Sequence, residues 1–456
     1  MTTTAAEIAH HSHGVVVGAA DAVVTSWAFD SRALEPGACF VALRDVRDGH
    51  HFVGAAFAAG ARVALVSKKL PGVEVPPGAA LVEVDDVLAR LQDLARAARA
   101  ARTELRVVGV TGSTGKTSTK DLLAAVLASL GCYASPASYN NEFGLPITLL
   151  NAPADSRVVV AEMGERFPGD IAALCGIAKP TIGVVTNVGL AHAEHLGGAE
   201  GAAQAMGELL DALPPGGLAV LNADDPWTPT LVAGAGAIEV VTVGMSAGSD
   251  YAIEAVELDS HLYPSFTLRD RRITLSVRGE HQVTNAALAL AVAQRGFGMD
   301  LGVAADALAS ARAARWRLEV DVSPLGVTVL NDAYNANPAS VDAALRALAQ
   351  LPTTGRRIAV LGDMRELGPH SDDAHAAVGR RAGELGIDIL IGVGAGGRVI
   401  VDAAAGTVPE SSVATDAGEA DRMVSAVAGP GDTVLVKASR AVGLEIVAAH
   451  ILGAAS

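Results

Sequence analysis

The segment Gly112–Thr117 has the residue types of a phosphate-binding loop. It lies between an apolar run at 106–111 and a predicted helix at 118–130. Small glycines let backbone N–H groups surround a phosphate, and the positive end of the following helix adds to the attraction. The lysine could reach the β- and γ-phosphates of a nucleotide, and the last threonine could ligate Mg²⁺. The residues predicted to bind ATP here are Gly112, Ser113, Thr114, Gly115, Lys116 and Thr117.

The spacing of this loop differs from the most common pattern. In that pattern four residues separate the two glycines that precede the lysine, whereas five residues separate Gly109 from Gly115. The alternative is a glycine-rich turn between a strand and a helix, without a ligand. The Lys-Thr pair and the strand before it favour the phosphate site.

Two further residues could hold a metal that accompanies the nucleotide. Glu162 ends the apolar run 157–162, and His192 follows the run 181–189. Open α/β sheets place their ligand crevice at the carboxyl ends of the strands. A carboxylate after several apolar residues is costly unless it is paired, bound to a metal or at a strand end. A structural ion pair for Glu162 and a structural role for His192 are the alternatives.

These residues require a sheet that brings several strand ends together. Continuous apolar runs alternate with helical stretches at 106–111, 157–164, 181–189, 218–224 and 240–244. Such runs are typical of parallel strands that are buried on both faces. A more alternating segment at 250–278 predicts antiparallel strands at the edge of this sheet. The predicted fold class is therefore α/β, with a parallel sheet that carries the phosphate loop.

The pattern divides the chain into three predicted domains. At 456 residues the chain exceeds one ordinary core, since domains hold about 150 residues each. The predicted domains are residues 1–102, residues 103–314 with the ATP site, and residues 315–456, where the α/β rhythm returns. We expect the histidines near the amino terminus, His10, His11 and His13, to lie in a mobile segment.

The composition of the chain indicates which classes of partner and which cellular compartment to expect. The chain has 34 basic and 50 acidic residues, a formal charge of −16, which argues against nucleic-acid binding. The three cysteines are far apart, which favours a reducing cytoplasm over a disulfide framework. The sequence holds no long uninterrupted apolar run and no basic-then-apolar amino terminus, so we expect neither a membrane span nor an export signal.

Beyond the phosphate loop, the chain resembles the Mur ligase family over about residues 29–445. The stretches 140–150 (NNEFGLPITLL) and 331–340 (NDAYNANPAS) are more specific than the loop, which the whole family shares. The other matching stretches are 29–43, 47–52, 110–121, 161–164, 187–197, 279–289, 361–368 and 436–445.

The resemblance implies an ATP-dependent ligase that joins D-alanyl-D-alanine to UDP-N-acetylmuramoyl-tripeptide in peptidoglycan precursor synthesis. The tripeptide carboxylate would attack the γ-phosphate to form an acyl phosphate, and the dipeptide amine would displace phosphate. The first domain would bind the UDP substrate, and the third would be a Rossmann-like ligase domain. ATP and Mg²⁺ are the expected cofactors. We expect a monomer whose site is assembled by domain closure.

The resemblance also implies roles for single residues. Lys116, Glu162 and His192 would be catalytic. Thr117 would bind one Mg²⁺, and Glu162 and His192 would bind a second. Implied ATP contacts are Asn285 at adenine and Arg317 and Asp332 at phosphate and ribose. Implied substrate contacts are Ser31 and Arg32 for the uridine nucleotide, Asn140 and Asn141, and Lys437, Ser439 and Arg440 for the dipeptide carboxylate. A structural role, or for the last three an ordinary ion pair, is the alternative.

One position departs from the family. Mur ligases usually carry a lysine, modified to a carbamate, where this chain has Met206. A thioether is a poor Mg²⁺ ligand, so we expect weaker binding of a second metal ion. An introduced substitution, a natural variant that uses another ligand, and a relative with altered chemistry would each explain it. Met206 therefore keeps two alternative functions open: an amide ligase of another pathway, and a non-catalytic nucleotide-binding homologue.

A second glycine motif also suggests a nucleotide. Gly392, Gly394 and Gly397 have dinucleotide-binding spacing after a predicted strand, and Asp416 lies about twenty residues onward. Because the chain is rich in glycine, and the family's third domain binds no nucleotide of its own, we favour a packing role.

Overall fold

Three sheets of five, nine and six strands follow one another along the described residues. The computed structural model describes residues 3–190 and 193–453, so the predicted site residue His192 lies outside the described residues. The α/β fold class is confirmed. We refer to residues 3–102 as the first part, to 103–314 as the central part and to 315–453 as the third part. None of the described helices has the length and apolar character that a membrane crossing would require.

The first part has a mixed five-stranded sheet with β2 antiparallel at one edge, in the order β2-β7-β6-β5-β4, and a small β1–β3 pair. Its elements are β1 (Thr3–Thr4), α1 (Ala5–Ser12), β2 (Val15–Gly18), β3 (Val23–Val24), β4 (Ser26–Ala28), β5 (Ala38–Val41), α2 (Val53–Ala58), β6 (Val63–Val66), β7 (Ala80–Glu83) and α3 (Val87–Ala100). The prediction that the amino-terminal histidines lie in a mobile segment is wrong, because His10 and His11 lie in α1. A capping box between Thr4 and Glu7 starts that helix.

The central part is built on the nine-stranded sheet, in the order β16-β15-β14-β13-β12-β11-β8-β10-β9. Its elements are β8 (Arg106–Thr111), α4 (Lys116–Val126), β9 (Cys132–Ala134), α5 (Gly144–Asn151), β10 (Val158–Glu162), α6 (Asp170–Ala178), β11 (Ile182–Val185), α7 (Ala193–Leu196), α8 (Ala199–Asp211), β12 (Leu218–Asn222), α9 (Thr228–Gly234), β13 (Glu239–Gly244), β14 (Tyr251–Leu258), β15 (Pro264–Leu268), β16 (Arg271–Thr274), α10 (Gln282–Ala291) and α11 (Leu301–Ala307). β14, β15 and β16 pair antiparallel at the edge of the sheet. This confirms the antiparallel edge strands that were predicted for residues 250–278.

Alternate residues of the central strands enter different cores, which explains their continuous apolar runs. In β8, Val107 joins a cluster with α5, α6 and α8, whereas Val108 joins a cluster with α4 and α10. The first cluster extends into the first part through α3, where Leu91 is fully buried. The first and central parts therefore share one apolar core.

The third part has a six-stranded sheet in the order β17-β18-β22-β19-β20-β21, parallel except for β17. Its elements are β17 (Glu319–Val322), β18 (Thr328–Asn331), α12 (Pro338–Gln350), β19 (Arg357–Gly362), α13 (Ser371–Glu384), β20 (Ile389–Val393), α14 (Gly394–Ala404), β21 (Glu410–Ala414), α15 (Ala417–Val427), β22 (Thr433–Lys437) and α16 (Glu445–Ile451).

The glycine motif at the start of α14 serves packing. A Cβ at Gly392 would lie 2.1 Å from the carbonyl oxygen of Gly397, so strand and helix touch backbone to backbone. The Asp363 carboxylate accepts the Gly396 N–H at 2.7 Å, at the helix end where a dinucleotide phosphate would bind. These contacts favour the packing explanation of the motif.

We predict that two glycine-to-alanine substitutions in helices change stability in opposite directions. A Cβ at Gly176 in α6 would meet nothing within 4 Å, and alanine favours a helix over glycine by about 0.5–1 kcal/mol. A Cβ at Gly201 in α8 would lie 1.6 Å from the carbonyl oxygen of Leu196, so the backbone must shift. Thermal melts should place Gly176→Ala at or above the wild type and Gly201→Ala below it. Equal melting temperatures would contradict the packing of α8.

Candidate functional site

One cavity of about 1000 Å³ lies where the central part meets the third part. It opens at the carboxyl ends of β8 and β10, the side of the sheet expected for a ligand. The predicted site residues that line it are Ser113, Thr114, Gly115, Lys116, Thr117, Asn140, Asn141, Glu162, Asn285, Arg317, Asp332, Lys437 and Arg440. Gly112, Ser31, Arg32 and Ser439 do not line it.

Two glycines shape the loop between β8 and α4. Gly112 has a φ of +135°, and a Cβ there would lie 2.1 Å from the Thr186 hydroxyl oxygen. Gly115 has a φ of +79°, and a Cβ there would lie 2.6 Å from Oδ1 of Asn285. α4 begins at Lys116, and no side chain of the described residues caps its first turn. The positive end of α4 therefore faces the cavity without a side-chain cap from the described residues.

Asn187, just beyond β11, holds this loop in place. Its Oδ1 accepts the Thr114 N–H at 3.0 Å, and its Nδ2 donates to the Thr114 carbonyl and hydroxyl oxygens at 3.1 and 2.7 Å. The Asn187 carbonyl also accepts the Ser113 N–H at 2.9 Å. The conformation of the loop is thus fixed from the neighbouring strand.

Asn285 supports the loop from the opposite side. It is 5% exposed, its Oδ1 accepts a hydrogen bond from Thr119 Oγ1 at 3.2 Å, and its Nδ2 donates to Gln282 at 3.0 Å. Because Asn285 also lies against Gly115, it packs α10 onto the start of α4. It still lines the cavity.

The Lys116 ammonium group has an acidic neighbour, Glu165, that was not predicted from the sequence. It lies 3.7 Å from Oε2 of Glu165, whose side chain is fully buried, and it donates a hydrogen bond to the Gly112 carbonyl. The same Oε2 accepts the Thr111 hydroxyl at 3.1 Å. The other oxygen, Oε1, has no hydrogen-bond partner among the described residues.

Glu162 is a second buried carboxylate of the cavity. It is 1% exposed, and its Oε1 accepts a hydrogen bond from Nδ2 of Asn140 at 2.8 Å. Its Oε2 is buried without a partner in the described part of the chain. A buried charged oxygen left in this way costs at least about 1–3 kcal/mol. The arrangement therefore suits a bound cation.

The third part reaches the phosphate loop through Arg317. Its guanidinium donates to the Thr117 hydroxyl at 3.0 Å and stacks over the Tyr334 ring, with 4.4 Å from Cζ to the ring centroid. The Tyr334 hydroxyl donates to Ser138 at 2.7 Å, and Ser138 lies 3.2 Å from the Thr117 hydroxyl. Thr117 is thus surrounded by residues of two parts of the chain.

Asp332 and Lys437 form a buried ion pair on the third part's side of the cavity. Lys437 donates to Oδ2 of Asp332 at 2.5 Å and to the Asn335 carbonyl at 2.9 Å. Burial lowers the pKa of Lys437 below its ordinary value, and the neighbouring carboxylate opposes that shift. The Leu318 N–H donates to the other Asp332 oxygen at 3.1 Å. A substrate carboxylate would have to compete with Asp332 for this lysine.

Ser439 and Arg440 are engaged by local partners. The Ser439 hydroxyl accepts the Arg365 N–H at 2.9 Å and is buried. Arg440 pairs with Glu445 at 2.5 Å, and its guanidinium lies 4.3 Å from the Trp316 ring centroid. Arg440 faces the cavity, whereas Ser439 supports the backbone beside it.

Ser31 and Arg32 lie apart from the cavity, on the first part. Two hydrogen bonds from the Arg32 side chain and one from its backbone N–H lower the pKa of Asp30 to about 2. The Arg32 side chain is 83% exposed, so solvent screens this pair and it adds little stability. The adjacent Phe29 packs on Phe143, with ring centroids 5.3 Å apart, and Phe143 lines the cavity. The segment is therefore connected to the cavity wall by aromatic packing.

Comparison with known proteins identifies the family. The family model of the Mur ligase middle domain matches residues 110–293, and that of the Mur ligase, glutamate ligase domain matches residues 316–440. The UDP-N-acetylmuramoyl-tripeptide–D-alanyl-D-alanine ligase of Mycobacterium tuberculosis is 42% identical, over 92% of this chain and 90% of its own length. The chain belongs to the Mur ligase family.

Solved structures of Mur ligases have the same fold. MurF from Acinetobacter baumannii is 27% identical, with a TM-score of 0.85 over 99% of each chain. MurF ligase from Thermotoga maritima, solved in complex with ADP, is 29% identical, with a TM-score of 0.77 over 94% of this chain and 97% of its own. The likeness extends over nearly the whole length, so it includes all three parts.

Met206 stands where the family resemblance implies a modified lysine. It is fully buried in α8, within the apolar cluster beneath the sheet, and it does not line the cavity. Of its polar neighbours, Gln204 is exposed, and Glu208 accepts hydrogen bonds from the Gly169 and Ala172 N–H groups at the start of α6. None of the residues of α8 contributes a charge to the cavity.

The residues of the site that were not predicted include Ser138, Glu165, Asn187 and Tyr334. Asn187 and Tyr334 lie in the stretches 187–197 and 331–340, which carry the family resemblance, but neither type of side chain indicates a partner by itself. Glu165 lies three residues after Glu162, and that proximity was its only signal.

We predict that Asn187→Ala loosens the phosphate loop without unfolding the protein. The change removes three side-chain hydrogen bonds to Thr114, each worth about 0.5–1.5 kcal/mol. Hydrogen–deuterium exchange in a peptide covering residues 112–117 should become about tenfold faster or more. The matched control is Asn151→Ala, which removes two hydrogen bonds to Trp27 and should leave that peptide protected. Equal exchange in both variants would contradict the role of Asn187.

Proposed function

We propose that this chain uses ATP to join D-alanyl-D-alanine to UDP-N-acetylmuramoyl-tripeptide. The name of the M. tuberculosis relative supports the two substrates, and the ADP of the T. maritima structure supports the nucleotide. One observation carries the proposal: the loop of the central part and Arg317 of the third part line one cavity and touch at Thr117. Such a cavity can hold a phosphoryl donor and its acceptor in contact.

In this proposal Gly112–Thr117 surround the phosphates of ATP, and Lys116 neutralises the charge on the transferring group. Arg317 is assigned to a phosphate oxygen, because its buried Nε has no acceptor among the described residues. We also propose Asp332 as a ribose contact and Asn285 as a contact on the adenine side.

Mg²⁺ is the proposed metal, and the residues fit it. The unpartnered carboxylate oxygen of Glu162 and the Thr117 hydroxyl line the same cavity, and Mg²⁺ prefers oxygen ligands. Thr117 would hold one ion, and Glu162 would hold a second, with His192 as a further proposed ligand outside the described residues. When bound, Mg²⁺ would neutralise negative charge on the phosphate oxygens.

Two sets of bond changes make up the proposed reaction. A carboxylate oxygen of the tripeptide attacks the γ-phosphorus, so a carbon–oxygen–phosphorus link forms while the bond to ADP breaks. The dipeptide nitrogen then attacks the acyl carbon, a C–N bond forms, the C–O bond to phosphate breaks, and the amine releases a proton. Arg317 and Tyr334, which cover Thr117, would limit the access of water to the acyl phosphate.

The remaining assignments place the substrates and the domains. We propose that Ser31 and Arg32 contact the uridine nucleotide, that Asn140 and Asn141 contact substrate within the cavity, and that Lys437, Ser439 and Arg440 bind the dipeptide carboxylate. The proposed domains are residues 1–102, 103–314 and 315–456, in a monomeric cytoplasmic enzyme that takes part in peptidoglycan precursor synthesis.

The test is an ADP-release assay in which UDP-N-acetylmuramoyl-tripeptide or D-alanyl-D-alanine is omitted in turn. We expect turnover only with both substrates, because the acyl phosphate needs the first and its discharge needs the second. Lys116→Met should lower the rate about 10²–10³-fold, since it removes a charge that stabilises the transferring group. The matched control is Lys179→Met, an exposed lysine at the end of α6, which should retain the rate.

The other outcomes separate the alternatives. Turnover that requires different substrates would indicate an amide ligase of another pathway. Binding of ATP without turnover would indicate a non-catalytic homologue. Either result would contradict the proposed function.

A further inference from the structure

Glu162 and Glu165 share an unusual arrangement at the carboxyl end of β10. Each carboxylate has one oxygen held by a neutral donor, Asn140 for Glu162 and Thr111 for Glu165. The other oxygen of each is buried without a partner among the described residues. Both side chains line the cavity that also holds Lys116 and Thr117.

Among the described residues, Lys116 is the one basic side chain with a charged nitrogen within 4 Å of either carboxylate. Lys116 is the lysine of this cluster, and its nitrogen lies 3.7 Å from Glu165, longer than a good charged hydrogen bond. The guanidinium of Arg166, which also lines the cavity, pairs with Glu366 at 2.8 Å. Within the described residues the two buried carboxylates therefore share one close cation, and a buried charge without a close partner is costly in a protein interior.

We propose that Glu165 is an acidic ligand, together with Glu162, of a divalent cation bound beside the phosphate loop. A hard cation takes carboxylate oxygens as ligands and completes its shell with water and a hydroxyl such as that of Thr117. Both unpartnered oxygens would then be satisfied by one ion. The proposal rests on the proposed function only in identifying that ion with the Mg²⁺ that accompanies ATP.

Position 206 lacks the charged residue that the family resemblance implies, and Glu165 would provide a charge in its place. Met206 is enclosed in the apolar cluster under the sheet and supplies no oxygen ligand. Glu165 would supply a negative charge from the segment just after β10 instead of from α8. The proposed acidic ligand therefore comes from a different element of the fold than the residue at position 206.

The test is a titration of the full-length protein with Mn²⁺ alone, in which free and bound ion are measured by electron paramagnetic resonance. Glu165→Gln keeps the size of the side chain and an oxygen for Thr111 but removes the charge, so the Kd for Mn²⁺ should rise at least tenfold. Glu162→Gln should have a comparable effect. The control is Glu74→Gln, an exposed residue outside the cavity, which should bind Mn²⁺ as the wild type does.

A second variant distinguishes a metal ligand from a residue that only holds Lys116. If Glu165 acts through Lys116, Lys116→Met should weaken Mn²⁺ binding as much as Glu165→Gln does. If Glu165 is a ligand, removing the neighbouring positive charge should leave Mn²⁺ affinity unchanged or increase it. Melting curves without metal confirm that each variant is folded.

Two results would overturn the proposal: unchanged Mn²⁺ affinity in folded Glu165→Gln, or an equal loss in Lys116→Met. The readout is independent of turnover. Loss of Mn²⁺ binding in Glu165→Gln would support the site even if the ligase assay failed, and unchanged binding would reject it even if the ligase assay succeeded.

Discussion

The ammonium group of Lys116 lies between the carbonyl of Gly112 and the carboxylate of Glu165, where β8 passes into α4. A partly buried lysine needs such partners, and they can exist only if the loop turns back sharply at Gly112. The position of this loop depends on β8 lying between β10 and β11. Glu165 follows the carboxyl end of β10, and Asn187 follows that of β11. The nine-stranded sheet thus determines where a phosphate can be bound.

The cavity also requires that the third part places Arg317 against the phosphate loop. Arg317 is flanked by Trp316 and Leu318, which have φ values of 60° and 51° in the left-handed region. Such residues cost roughly 1–3 kcal/mol each, and they persist only where packing holds them. Leu318 is buried, and Trp316 lies between the guanidinium groups of Arg315 and Arg440. The backbone therefore directs Arg317 at Thr117.

Much of this could be predicted from local patterns. The apolar runs predicted the parallel strands, because both faces of the central sheet are covered. Glu165 could not be recognised, since its burial depends on Thr111 and Lys116, which are distant in sequence. The helix with His10 and His11 was missed although Thr4 and Glu7 form a capping signal. The roles of all the predicted site residues stay predictions; Ser31 and Arg32 lie apart from the cavity, and His192 lies outside the described residues.

The central claim is that the cavity transfers a phosphoryl group from ATP to a substrate carboxylate before the amide bond forms. The most direct test uses UDP-N-acetylmuramoyl-tripeptide with ¹⁸O at both oxygens of its terminal carboxylate, together with ATP, Mg²⁺ and D-alanyl-D-alanine. Because the C–O bond of the acyl phosphate breaks in the second step, one carboxylate oxygen should leave with the phosphate. Mass spectrometry should therefore find one ¹⁸O in each inorganic phosphate released. Phosphate without ¹⁸O, formed alongside the ligated product, would contradict the account.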